Sequence, residues 1–142
     1  MIIPDANLLI YAHDETAPKH AQARAWWESV LSGREPVGIP FVVALAFVRL
    51  VTHPALNENP MTVTMARACV ESWERVPVVR LLPGSPSTLH LAWTLLESAE
   101  AGGNLTTDAM IAAHAAETGG MVFSNDRDFD RFPKIRWKNP LS

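Results

Sequence analysis

The chain has 142 residues, 48% of them hydrophobic and 19% charged. That is one ordinary domain's worth of sequence, apolar enough to bury a core and too ordered in composition for a disordered segment. The formal charge of -3 speaks against broad electrostatic coating of nucleic acid, although a local basic surface beside an acidic pocket is compatible with it. The single cysteine, Cys69, excludes an intrachain disulfide and a cysteine-rich zinc site, and its helical surroundings predict a buried, inert thiol. The opening Met-Ile-Ile-Pro-Asp lacks the basic start of a signal peptide. The longest apolar run, Ile39 to Val51, is too short to span a bilayer, so the expected compartment is the cytoplasm.

In chain order, Met1 to Ile3 reads as a first strand ending at Pro4 and Asp5, where the missing proline N–H belongs. Asn7 to Asp14 reads as a helical turn and loop. Pro18 opens a helix in which apolar residues recur up to Leu31, with Gly33 as its stop. Val37 to Ile39 is a short strand, and Pro40 starts the helix Phe41 to Thr52. That helix is apolar on almost every side, which predicts burial on more than one face.

After a turn at Asn57 to Pro60, Thr62 to Arg75 is an amphipathic helix. Val78 to Leu82 is a buried strand broken by Pro83-Gly84-Ser85-Pro86. Ser87 to Glu100 is a helix stopped by Gly102-Gly103, and Thr106 or Thr107 caps the next, Asp108 to Thr118. Met121 to Ser124 is a strand, Asp126 to Phe132 a short turn or helix, and Ile135 to Trp137 a last short strand. Alternation of strands and helices predicts a parallel sheet covered by helices on both faces, in one domain over residues 1–142.

In such sheets ligands sit beyond the carboxyl ends of the strands. Asp5 follows the first strand and Asp126 follows the strand Met121 to Ser124; Asp108 starts the helix before it. Taken singly, each acid is also explained as a cap or as an answer to a helix dipole. Taken together, three carboxylates brought to one edge repel unless a cation lies between them, and oxygen donors suit a hard ion such as Mg²⁺ or Mn²⁺. With a phosphodiester bound, such a site supports hydrolysis without a protein nucleophile.

The segments IIPDANLLIYAHDE, GNLTTDAMIAAHAAETGGMVFSNDRDFDRFP and IRWKNPL resemble the PIN-domain toxins of bacterial VapBC-type toxin–antitoxin pairs, over residues 2 to 141. The resemblance implies a three-layer α/β/α sandwich with a central parallel sheet. It implies Mg²⁺- or Mn²⁺-dependent endoribonuclease activity on an RNA substrate, neutralisation by a small cognate antitoxin, and homodimerisation. Asp5, Asp108 and Asp126 match the family's metal-binding acids, and Asp128 a further acid that reaches the metal through water. Asn7 and Ser124 match the polar residues accompanying the acids.

One position departs from the family pattern. The helix Phe41 to Thr52 usually carries a Glu three residues before an Arg; here that residue is Ala46, and the helix holds no carboxylate. The loss predicts weaker metal binding. It supports an alternative in which the chain is a catalytically weak binding protein that sequesters antitoxin or RNA. A phosphatase of the haloacid-dehalogenase type would need a second Asp where Asn7 stands.

Arg49, alone in that apolar helix, is expected to be buried and to pair with a pocket carboxylate or to face a substrate phosphate. Arg127, Arg131, Lys134, Arg136 and Lys138, interleaved with Phe132 and Trp137, form either a guide for an RNA backbone or a solvated face. The five histidines show no zinc spacing and read as surface or packing residues. Trp26, Trp27, Trp73 and Trp93 read as core or dimer contacts.

Overall fold

The computed structural model describes residues 1–142. Five strands form one sheet: β1 (Ile2–Pro4), β2 (Val37–Pro40), β3 (Val79–Leu82), β4 (Met121–Phe123) and β5 (Trp137–Lys138). Their order is β3-β2-β1-β4-β5, and every pairing is parallel. The short, β-branched runs Ile2-Ile3 and Val37 to Ile39 are buried on both faces, as a parallel sheet between helices demands.

Six helices cover the sheet: α1 (Ala6–His13), α2 (His20–Leu31), α3 (Phe41–Val51), α4 (Val63–Glu74), α5 (Pro86–Ala99) and α6 (Leu105–Thr118). A 3₁₀ turn spans Arg127–Arg131. The expected α/β fold is therefore the one observed. Ser85 caps α5 through a reciprocal pair of bonds with Thr88, and Pro86 fills the first turn, where its absent N–H costs nothing. Gly119 closes α6 in the left-handed conformation at φ 66°, which a side chain rarely adopts.

Prolines set the carboxyl ends of the three neighbouring strands. Ile2 donates its N–H to Pro36 of the strand beside it, and two residues on Pro4 has no N–H to offer on the same side. β1 accordingly pairs with β2 only at Ile2 and Val37, while its other edge runs alongside β4 from Ile2 to Pro4. Pro40 ends β2 and Pro83 follows β3.

Several expectations are corrected. Helix α6 begins at Leu105, so Thr106 and Thr107 lie in its first turn and not at its cap; Asn104 is the cap residue and makes no side-chain bond to the helix. The last strand is Trp137–Lys138, not Ile135 to Trp137. Helix α3 buries only Val43, Phe47 and Val51, one stripe at a spacing of four, and leaves Leu45 69% exposed. Its apolar composition does not translate into burial all round. Arg49 is exposed and forms neither an ion pair nor a side-chain hydrogen bond, so its predicted buried pairing is absent.

The core beneath α1, α2, α3 and α4 is aromatic. Phe47 and Trp73 meet edge to face at 4.8 Å, Trp27 meets Trp73 at 5.8 Å, and His13 meets both Phe47 and Trp73. Trp27 and Trp73 are thus core residues, whereas Trp93 on α5 is half exposed. Cys69 is half-buried, and desolvation pushes its thiol up in pKa and keeps it protonated.

Candidate metal centre

The chain leaves β1 for β2 and β3 on one side of the sheet, and β4 and β5 lie on the other. The β1/β4 boundary is therefore the point where strand order reverses, and the crevice of an open α/β sheet opens at such a point. Asp5 follows β1 and Ser124 follows β4, so their side chains arrive on the two strands that flank it.

Asp5 is the anchor. It is buried, 9% exposed, and caps α1: its Oδ1 accepts from the N–H of Ala6 at 2.8 Å. Its Oδ2 accepts from Ser124 Oγ at 2.7 Å and from Asn7 Nδ2 at 3.4 Å. The capping and site readings of Asp5 coincide in one geometry. Asn7 ties the two strand ends together, donating to Ser124 Oγ at 3.2 Å and accepting from the N–H of Asn125 at 3.3 Å.

Ser124 in turn accepts from the N–H of Asp126 at 2.9 Å, and Asp126 accepts from the N–H of Asp128 at 3.0 Å to cap the 3₁₀ turn. This local Asp-turn chemistry points both Asp126 and Asp128 off one short segment. Helix α6 adds Asp108 from its first turn. One carboxylate oxygen from each of Asp108, Asp126 and Asp128 lies within 4.8 Å of the others. Asp5 stands behind this trio with its two oxygens already hydrogen-bonded.

The electrostatics record the crowding. Asp108 is pushed up to about 7, first by desolvation and then by the charges of Asp5, Asp126 and Asp128. Asp5 is also raised, by its burial above all, against the lowering effect of the Ser124 and Ala6 bonds. Asp128 is raised by desolvation and by Asp126, with Arg131 opposing. The all-oxygen donor set with a deficit of positive charge fits a hard divalent cation, which Asp108, Asp126 and Asp128 would hold.

Of the acids singled out from the sequence, Asp108, Asp126 and Asp128 bring oxygens together, while Asp5 lies outside that trio, bonded to Asn7 and Ser124. Arg49 does not take part, and α3 brings no carboxylate; Ala46 lies half-buried on it. Sequence reasoning missed Lys19, Asn125 and Asn139. Asn125 Oδ1 accepts from Lys19 Nζ at 2.9 Å and from Asn139 Nδ2 at 3.1 Å, bracing the loop from which Asp126 projects. Only the position of Asn125, between Ser124 and Asp126, signals this in the sequence.

Comparison with known proteins agrees with the geometry. The family model for the PIN domain matches residues 2–135. Ribonuclease VapC33 of Mycobacterium tuberculosis is 36% identical over 141 residues, covering 99% of both chains. Ribonuclease VapC37 of the same organism is 36% identical over 140 residues, covering 99% of this chain and 97% of its own. Among solved structures, the VapC20 toxin of M. tuberculosis, described as cleaving the sarcin–ricin loop, aligns with a TM-score of 0.71 at 19% identity, over 96% of this chain and 99% of its own. FitAcB from Neisseria gonorrhoeae aligns with a TM-score of 0.69 at 21% identity, over 99% and 98%. The chain belongs to the PIN-domain family, within the group of the VapC ribonucleases.

Proposed function

We propose that this protein is a divalent-metal-dependent endoribonuclease, a single PIN-like domain acting as the toxin of a toxin–antitoxin pair. The observation that carries the reading is the convergence of Asp108, Asp126 and Asp128 on a space of metal-ion size, with buried Asp5 behind them. The ribonuclease names of full-length relatives at 36% identity support it. The neighbouring solved structures include VapBC from Rickettsia felis bound to promoter DNA and VapBC from Salmonella typhimurium bound to DNA, and they support a small antitoxin as partner. Homodimerisation belongs to the same reading, and no helix is long and apolar enough to cross a membrane.

Mg²⁺ or Mn²⁺ is the ion the oxygen donors suit. The chemistry such an ion supplies is charge stabilisation at the phosphoryl group and a lowered pKa for the attacking water. The chain's own residues do the rest. Asp108, Asp126 and Asp128 would present the negative oxygens that hold the ion. Asp5, fixed by Ala6 and Ser124, adds a buried negative charge that cannot rotate away. Ser124 holds Asp5 and the Asp126 backbone with one hydroxyl, so the two acid-bearing strand ends keep a constant separation.

The test is cleavage of total and transfer RNA by the purified protein with Mn²⁺ or Mg²⁺, with EDTA as control. Discrete fragments that vanish with EDTA are the expected result. Intact RNA in the presence of a folded, metal-binding protein would overturn the enzymatic reading. The absence of a carboxylate on α3, where Ala46 stands, favours a second reading: a weak relative that works by sequestering antitoxin or RNA. Those two outcomes separate the readings.

A further inference from the structure

The acid cluster draws a metal but repels the polyanion that the metal is to act upon, so the rim must supply positive charge. The two arginines of the turn that follows Asp126 are already engaged. Arg127, next to Asp126 in the chain, pairs with Asp130. Arg131 donates to the carbonyl of Ala99 and acts on Asp128. Phe132, in the basic C-terminal stretch, is buried and unavailable for stacking on a base.

Lys19 differs from all of these. It is half-buried at the end of the loop before α2, and its ammonium is held 2.9 Å from Asn125 Oδ1, one residue before Asp126. Its bonded partner is a neutral amide, and it forms no ion pair. The charge is therefore fixed in place one residue from Asp126 and is not neutralised by an ion pair. Asn125 is itself held by Asn7 and Asn139, so the ammonium rests on a braced support and not on a mobile loop.

We infer that Lys19 is a substrate-binding residue: it grips an RNA backbone phosphate flanking the scissile one, and Asn125 positions it to do so. The inference rests on the ribonuclease reading above. It predicts a property that a merely structural clasp lacks, because a phosphate contact releases counterions and makes binding salt-dependent.

The experiment is the salt dependence of kcat/KM for cleavage of a single-stranded RNA with Mn²⁺, measured for the wild type, Lys19→Gln and Lys19→Arg. Gln retains an amide N–H for Asn125 and loses the charge. Lys19→Gln is expected to raise KM with little change in kcat, and to flatten the log–log salt slope by about 0.7, the value for one phosphate on a single strand. Lys19→Arg restores the slope, and Asn125→Ala, which keeps the charge, raises KM without altering the slope. An unchanged slope in Lys19→Gln on an active wild-type background overturns the inference alone. A wild type that shows no metal-dependent cleavage overturns the ribonuclease reading beneath it, and the inference with it.

Discussion

Helix α6 carries two polar groupings with opposite logic. Asp108, in its first turn, faces three other carboxylates. Glu117, in its last turn, accepts from the hydroxyl of buried Thr88, which also completes the Ser85 cap of α5. His114 sits between them beneath the turn at Gly84, whose φ of 82° brings the backbone close over the imidazole ring. Where polar groups hold α5 to α6, the Glu117 carboxylate and the Ser85 and Thr88 hydroxyls find their partners within the chain. Where they face the crevice, repulsion is left standing. Folding alone would not select the second arrangement, and the difference marks which grouping serves a ligand.

Four measurements bear on this contrast. The largest effect belongs to Asp108→Asn or Asp126→Asn, each expected to lower metal-dependent cleavage by more than about 100-fold, beyond what outer-shell partners of metal ligands usually cost. The melting temperature without metal is expected to hold or rise. A variant that cleaves normally would remove that residue from the ligand set. Thr88→Val should do the reverse, costing about 2 kcal/mol of stability through the lost cap and the lost bond to Glu117. Specific activity of the folded fraction should be preserved, as denaturant melts beside cleavage assays would show.

The pH profile of the metal-free protein tests both groupings at once. Asp108 has a folded pKa of about 7, above its unfolded value of 3.8. Its contribution to stability is present below pH 3.8 and lost as pH rises through 7. His114 is shifted the other way by burial, so its contribution is present above its ordinary value of 6.5 and lost as pH falls through the lowered one. The two slopes oppose each other in mildly acidic solution. Melting curves in EDTA should therefore show Asp108→Asn gaining stability more steeply with rising pH than the wild type. Identical profiles would mean that Asp108 is not raised. The smallest effect belongs to Arg49→Gln, which removes an exposed, unpaired charge and should change stability by no more than about 0.5 kcal/mol.

Asp5 and Asp126 were legible in the sequence because each follows a strand, and strand ends are where such sheets place their chemistry. Asp108 was legible as a helix-start acid, even though the cap beside it was misplaced by two to three residues through the attraction of Thr106 and Thr107 as cap residues. Helix α3 misled because apolar composition was taken for burial, whereas apolar residues are common on surfaces and only a buried polar group is diagnostic. Arg49 was misjudged with it. Lys19 and Asn125 were illegible for a different reason: they stand 106 positions apart, and no local pattern announces that a loop before α2 will reach the loop after β4.

The proline row at the ends of β1, β2 and β3 has a consequence for how such a scaffold diversifies. On the side its N–H would face, a strand that stops at proline cannot recruit the loop beyond it into the ladder, although on the β4 side of β1 Asp5 still donates to Phe123. Changes in those loops are thereby uncoupled from sheet register, and natural variation can remodel what the crevice recognises while inheriting the same framework unaltered.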